Sequence, residues 1–253
     1  MIAAALVALG ALSSASDAAA QAQIGVPNYT VNIDARDAAG RVLVNGIPIR
    51  WFGTGGDAPP GGLIQPAGIW LVEGENTIAV EVRAAKGTAT ARVLMLRNPG
   101  EPPLADEILL GAGSVERKVT APKMPAWSWL DADTVADARG PLLGAVRAFH
   151  AAYEKRDLPA IRALRRALDK DLEQVMGPMT QDRLDREEAF VRAATVAPLP
   201  ADLVVTAFAD NRLFLVARAD GTAPVTLSAP DLPIKPELGR FWVRKGGAWQ
   251  VVR

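Results

Sequence analysis

The dipeptide Asn45-Gly46 stands between two apolar runs, RVLV before it and IPIRWF after it. Few pairs constrain a chain more. A tight type I′ turn needs positive φ at both central positions, which asparagine and glycine accept at little cost. Val42 and Val44 alternate on the way in and Ile47 and Ile49 on the way out, so the segment predicts a hairpin of half-buried strands. Pro48 has no N–H to give a ladder, which predicts either an edge strand or a looser loop around Asn-Gly. A second polar turn, Glu73-Gly74-Glu75-Asn76, leads into Ile78, Val80 and Val82 alternating with polar or small residues, and so into another strand.

Val31 and Ile33 open the strand-rich region, and TATARVLMLR, residues 88–97, closes it. The VNG hairpin, the GEN turn and the alternating valines over residues 30–97 resemble the galactose-binding-like jelly-roll sandwiches appended to secreted glycosidases. The resemblance implies an all-β sandwich over residues 23–97, extending to about 120, in which Asn45, Gly46, Gly74 and Asn76 are structural positions. A smaller immunoglobulin-like sandwich fits the same length. GTGGDAPPGG, residues 53–62, lacks the Gly-Lys-Ser/Thr ending and the following helix of a phosphate cradle and reads as a loop.

Ahead of this region, residues 1–22 carry an apolar run from Ile2 to Leu12 and then small residues ending in Ala20-Gln21-Ala22, the layout of a secretory signal peptide. The expectation is a periplasmic or secreted protein, cleaved near residues 20–22, with no membrane span. A missing Lys or Arg beside Met1 departs from that layout. With 28 basic and 28 acidic residues in 253, charge gives no reason to expect nucleic acid as a partner. The chain has no cysteine and one histidine, which excludes disulfides and thiolate metal sites and predicts neither metal nor cofactor.

Residues 98–140 read as a Pro-rich connector, in which Ile108–Leu110 and Ser114–Thr120 are a candidate strand pair. Trp127 and Trp129 admit two readings, an exposed aromatic platform for a sugar or peptide and indoles buried at a junction. Asp131, Asp133 and Asp137 lack calcium-loop spacing and read as helix starts.

From Pro141 the period is helical. Leu142, Val146, Phe149 and Tyr153 form one stripe, and Asp157 and Pro159 open a second helix through Met176. Ile161, Leu164, Leu168, Leu172 and Val175 form its buried side, and Gly177-Pro178 stops it. A third helix spans residues 181–194, after which the period falls to 2 through LVVTAF, RLFLVAR, PVTLSA and a terminal hairpin at Gly246-Gly247. Helices followed by an antiparallel sheet make an α+β unit over residues 141–253. FHAAYEKRD, the Asp-Pro helix start and the closing GGAWQVV resemble the NTF2-like, or SnoaL-like, cone. The resemblance implies helices closing over a curved sheet around an apolar pocket. It also implies Phe149 and Tyr153 on the lining helix, Trp242 or Trp249 on the sheet, and pairing of two copies into a homodimer through their sheets.

The candidate ligand-binding residues are Phe149, His150, Tyr153, Trp242, Trp127 and Trp129, with no catalytic residue assigned. An imidazole titrates near neutrality, which makes His150 the one candidate base, but no Ser, Cys or carboxylate partner is placed beside it by sequence, so a boundary or exposed position also fits. Arg162, Arg165, Arg166 and Lys170 share a helix face with Asp169 and Glu173 at ion-pair spacing, which predicts a solvated face. Asp182, Asp185, Glu187 and Glu188 suit the start of the third helix. The reading that follows is an exported, non-catalytic accessory protein of the cell envelope that contacts a protein or glycan. The alternative is a small-molecule-binding or isomerase- or hydrolase-like enzyme using the cone.

Overall fold

In the computed structural model, residues 29–53, 63–84, 89–98, 100–229 and 235–253 are described. The signal-like residues 1–22 and the glycine-rich 54–62 lie outside them. The chain divides into two compact units at Pro125 and Ala126.

The first unit is all β. Its strands are β1 (Thr30–Arg36), β2 (Ala38–Val44), β3 (Ile47–Phe52), β4 (Leu63–Pro66), β5 (Gly74–Ala84), β6 (Thr90–Leu96), β7 (Ala105–Leu110) and β8 (Gly113–Ala121). They form two antiparallel four-stranded sheets, ordered β4-β1-β6-β7 and β3-β2-β5-β8. Asn45 and Gly46 adopt φ of 52° and 77° and close the β2–β3 hairpin as the dipeptide predicts. Pro48 is accommodated by both devices open to it: β3 is an edge strand, and the register shifts between Val42 and Leu43, which stands opposite Pro48. Alternate residues of both sheets, among them Val31, Ile33, Val42, Val80 and Val93, are buried.

Two strands fall in the segment read as a connector. β7 and β8 do not pair with each other as a hairpin: β7 joins β6 in one sheet and β8 joins β5 in the other. The chain changes sheet across Gly111, whose φ is 81°.

The second unit is α+β. Helices α1 (Arg139–Glu154), α2 (Leu158–Met176) and α3 (Gln181–Ala193) precede β9 (Thr195–Val196), β10 (Val204–Phe208), β11 (Leu213–Ala217), β12 (Val225–Ser228), β13 (Glu237–Leu238), β14 (Phe241–Lys245) and β15 (Ala248–Val251). Asp157 caps α2, its carboxylate accepting from Ala160 N at 3.1 Å, and Gly177 ends it with φ 77°. The sheet runs β10-β11-β14-β15, beside a smaller β13-β12-β9 sheet. The α1 stripe of Leu142, Val146, Phe149 and Tyr153 packs on Phe214, Val216, Trp242 and Val251 of the sheet, with Ile161 and Leu168 of α2 closing the cluster. On the other face of β11 and β14, Leu213, Leu215, Phe241 and Val243 are 0 to 7% exposed in the single chain. Pairing of two copies through that face is therefore not supported: those apolar residues are already covered.

The aspartates expected to start helices do other work. Asp131 accepts two bonds from Lys245 Nζ at 2.7 and 2.8 Å, and Asp133 accepts from Gly247 N at 3.2 Å, so both fasten their segment to the β14–β15 hairpin. α1 begins after Ala138 with no side-chain cap. Among the described residues no helix is long and apolar enough to cross a membrane.

Candidate functional site

Sequence reasoning placed the site on aromatic residues of the second unit, and the structure packs three of them solid. Phe149 meets Tyr153 edge-on at 5.0 Å and Trp242 edge-on at 5.6 Å, and all three are at most 2% exposed. Gly239 lets this cluster close. With φ 70° it presents hydrogen where a Cβ would stand 3.0 Å from the Phe149 ring, and its carbonyl accepts from Trp242 Nε1. Trp249 packs edge-on to Phe214 at 5.4 Å instead.

Below this cluster a cavity of about 50 Å3 opens to solvent between α2, α3 and the sheet. Phe149, Leu168, Leu172, Met179, Leu238 and Val251 give it apolar walls. Arg165, Arg183, Glu187 and Arg253 give it charge.

These charges sit in two buried networks. Arg165, 5% exposed, binds Glu187 and reaches Asp169 at 3.0 Å, and Arg162 stands 3.8 Å from Glu187. Burial works against the charge on Arg165, but Tyr153, Asp169 and Glu187 together more than offset it and hold the guanidinium protonated. Burial also pushes the Tyr153 hydroxyl and the Asp169 carboxyl up from their ordinary values. The face expected to be solvated is therefore partly interior. The sequence carries the signal: Arg165 lies four residues after Ile161 and three before Leu168, inside the apolar stripe.

Asp171 is the second case, in register with Leu164, Leu168 and Val175 and fully buried. Its Oδ1 accepts from Ser128 N at 2.9 Å and Ser128 Oγ at 2.8 Å, and Oδ2 stands 3.5 Å from the Arg253 guanidinium. The Ser128 hydroxyl has one proton and also lies 3.2 Å from the Ala167 carbonyl, so the shorter, charge-assisted contact takes it. Burial moves both partners toward neutrality, Asp171 upward and Arg253 downward, more than their mutual attraction restores. Arg253 lies over the Trp127 ring at 5.4 Å.

This arrangement settles where the connector tryptophans stand. Trp127 is 0% exposed and Trp129 8%, so neither offers the open ring face that a sugar platform needs. His150 is buried rather than at a boundary. Its Nε2 lies 2.8 Å from the Ala197 carbonyl, which can only accept, so Nε2 carries the proton. Its Nδ1 is 3.4 Å from Glu154 Oε2. It is absent from the cavity wall. Nor do the described residues hold a group of three or more His, Asp or Glu suited to a metal ion. Of the six sequence candidates, the cavity wall includes Phe149 alone. Met179, Arg183 and Leu238, outside any stripe read from sequence, complete it. Comparison with protein-family models, with curated proteins and with solved structures gave no match in any of the three.

Proposed function

We propose that this chain is an exported, non-catalytic binding protein whose second unit is an NTF2-like cone, and whose ligand site is the cavity between α2, α3 and the sheet. The observation that carries the reading is that solvent-open cavity: a largely apolar wall interrupted by a few convergent charged groups, the usual form of a small-molecule site. Three helices preceding an antiparallel sheet over an apolar interior support the cone. The layout of residues 1–22 supports export. Against catalysis, the buried carboxylates Glu187 and Asp171 are bound to arginines or to Ser128, and His150 is bound to a backbone carbonyl. A general base must be within reach of a substrate proton.

A second reading keeps the partner a protein or glycan engaged by the first unit. It is favoured by the edge strand β7, where Ile108 and Leu110 are 69% and 79% exposed.

A thermal-shift screen of the full chain separates the two readings. Small apolar and amphipathic probes that bind the native state raise the melting temperature by mass action. Met179→Trp fills the cavity and is expected to abolish the shift while leaving the far-UV spectrum unchanged. A shift that survives Met179→Trp removes the site from the cavity, and a shift from soluble glycans alone moves it to the first unit.

A further inference from the structure

We propose that the edge strand β8 pairs two copies of the chain into a homodimer, antiparallel about a two-fold axis at Arg117, with Glu116 of each copy opposite Lys118 of the other. The pairing belongs to the first unit and is independent of the cavity.

The first argument is the direction of the backbone. Asn45 N donates to the Thr77 carbonyl at 2.8 Å across β2 and β5. Residues that exchange bonds across an antiparallel pair alternate, so Thr77, Ala79 and Glu81 turn their peptide groups to β2, and Asn76, Ile78 and Val80 turn theirs to β8. Opposite these last three stand Val119, Arg117 and Val115. Ser114, Glu116, Lys118 and Thr120 therefore turn their peptide groups away from β5, where no other described strand meets them. All four are exposed. The Glu116 carbonyl accords with that phase, accepting from Arg117 Nη1 at 2.8 Å, and the Thr120 carbonyl accepts from the Tyr29 hydroxyl at 3.3 Å. Each keeps a second lone pair for a ladder bond.

The second argument is the sequence of the edge. Outward from Arg117, Glu116, Val115 and Ser114 on one side answer Lys118, Val119 and Thr120 on the other. A two-fold axis at Arg117 sets hydroxyl against hydroxyl, valine against valine and, twice, carboxylate against ammonium, pairs that stabilise adjoining strands. In that register the outward-facing residues are the ones that exchange bonds. Charges on an edge ordinarily repel a further strand, but this order of signs makes β8 complementary to itself. Lys118 Nζ binds Glu75 at 2.9 Å, both side chains being 67% exposed, and keeps two protons for a second carboxylate. Arg117 meets its own copy on the axis, and Glu107 balances its charge within each chain.

The third argument is what lies beside the edge. Arg117 ties β8 to β7 through Glu107 and the Leu104 carbonyl, so both edges share one side of the first unit. Ile108 and Leu110 of β7 are 69% and 79% exposed, apolar surface on the side that the second copy approaches.

Sedimentation equilibrium of the full chain over a concentration series tests the pairing, with far-UV dichroism to show that each variant folds. The parent is expected to pass from monomer to dimer as concentration rises. Glu116→Lys and Lys118→Glu each set like charges opposite one another at two symmetry-related points, and each is expected to weaken dimerisation by about tenfold or more. An equimolar mixture of the two variants is expected to dimerise about as tightly as the parent, because each chain supplies the charges that the other lacks. A parent that stays monomeric throughout overturns the proposal. So does a dimer that neither reversal weakens, or a mixture that associates no more tightly than its two components alone.

Discussion

Asn76 is 1% exposed and uses its whole amide. Oδ1 accepts from Val72 N and from Asn45 Nδ2, both at 2.9 Å, while Nδ2 donates to the Val72 carbonyl at 2.7 Å and the Gly74 carbonyl at 2.9 Å. Asn45 in turn accepts from Thr77 N at 2.9 Å, so the two turns that mark the first unit in sequence are fastened to each other by this pair of asparagine side chains. Asn76→Ala would take the partner from two carbonyls and an N–H of the half-buried Val72 and Gly74, at about 1–3 kcal/mol for each group that finds no substitute partner. We expect a loss of about 2–4 kcal/mol in urea unfolding followed by far-UV dichroism, with Asn76→Asp no better, because a carboxylate would face the Val72 and Gly74 carbonyls. A loss under about 0.5 kcal/mol would mean that water replaces the amide. The positive φ of Asn45-Gly46 was legible from the dipeptide because turn chemistry is local. The role of Asn76 was not, because its partners are fixed only once β2 and β5 lie side by side.

At the scale of the element, α2 shows why an amphipathic pattern is read too generously as outside and inside. Its cap, its proline and its stop follow from local rules and stand where those rules place them, whereas of its apolar stripe Ile161 and Leu168 are buried and Leu164 and Leu172 only partly so. Arg165 and Asp171 lie within the stripe, and their burial depends on Glu187 of α3 and on Ser128, which no helical period reveals. The β7–β8 segment failed for the same reason. Alternation marked two strands but not which sheet each would join. The Arg165–Glu187 pair carries the element-scale prediction. Arg165→Met leaves Glu187 buried without its main counter-charge and should cost about 3–5 kcal/mol. Arg165→Met with Glu187→Leu should restore most of that loss, since an apolar pair of similar volume escapes desolvation altogether. Denaturant unfolding of both single variants and the double variant closes the cycle. A double variant no more stable than Arg165→Met would mean that the pair contributes more than it costs.

For the molecule as a whole, the buried carboxylates bend the dependence of stability on pH away from its ordinary course. Asp131 and Asp220 are held below the usual carboxylate value, chiefly by hydrogen bonds from Lys245 and from Thr222, so their contribution is present above the unfolded pKa and fades as pH falls through the folded one. Asp169 and Asp171 run the other way. Burial raises both above the ordinary 3.8, so the folded state binds their protons more tightly than the unfolded state does. Stability from these two groups is therefore fully present below the unfolded value and is lost as pH rises through the raised, folded one. Asp171→Asn keeps an oxygen to accept from Ser128 and removes the titration. Urea midpoints of the parent and of Asp171→Asn, taken at intervals from about pH 3.5 to 7, should diverge in the variant's favour as pH rises, whatever their offset at the acid end. A gap that stays constant would mean that Arg253 and Ser128 compensate fully for the burial of Asp171. A gap that moves toward the parent would mean that the Arg253 pair, despite its 3.5 Å separation, outweighs desolvation and acts as an ordinary salt bridge.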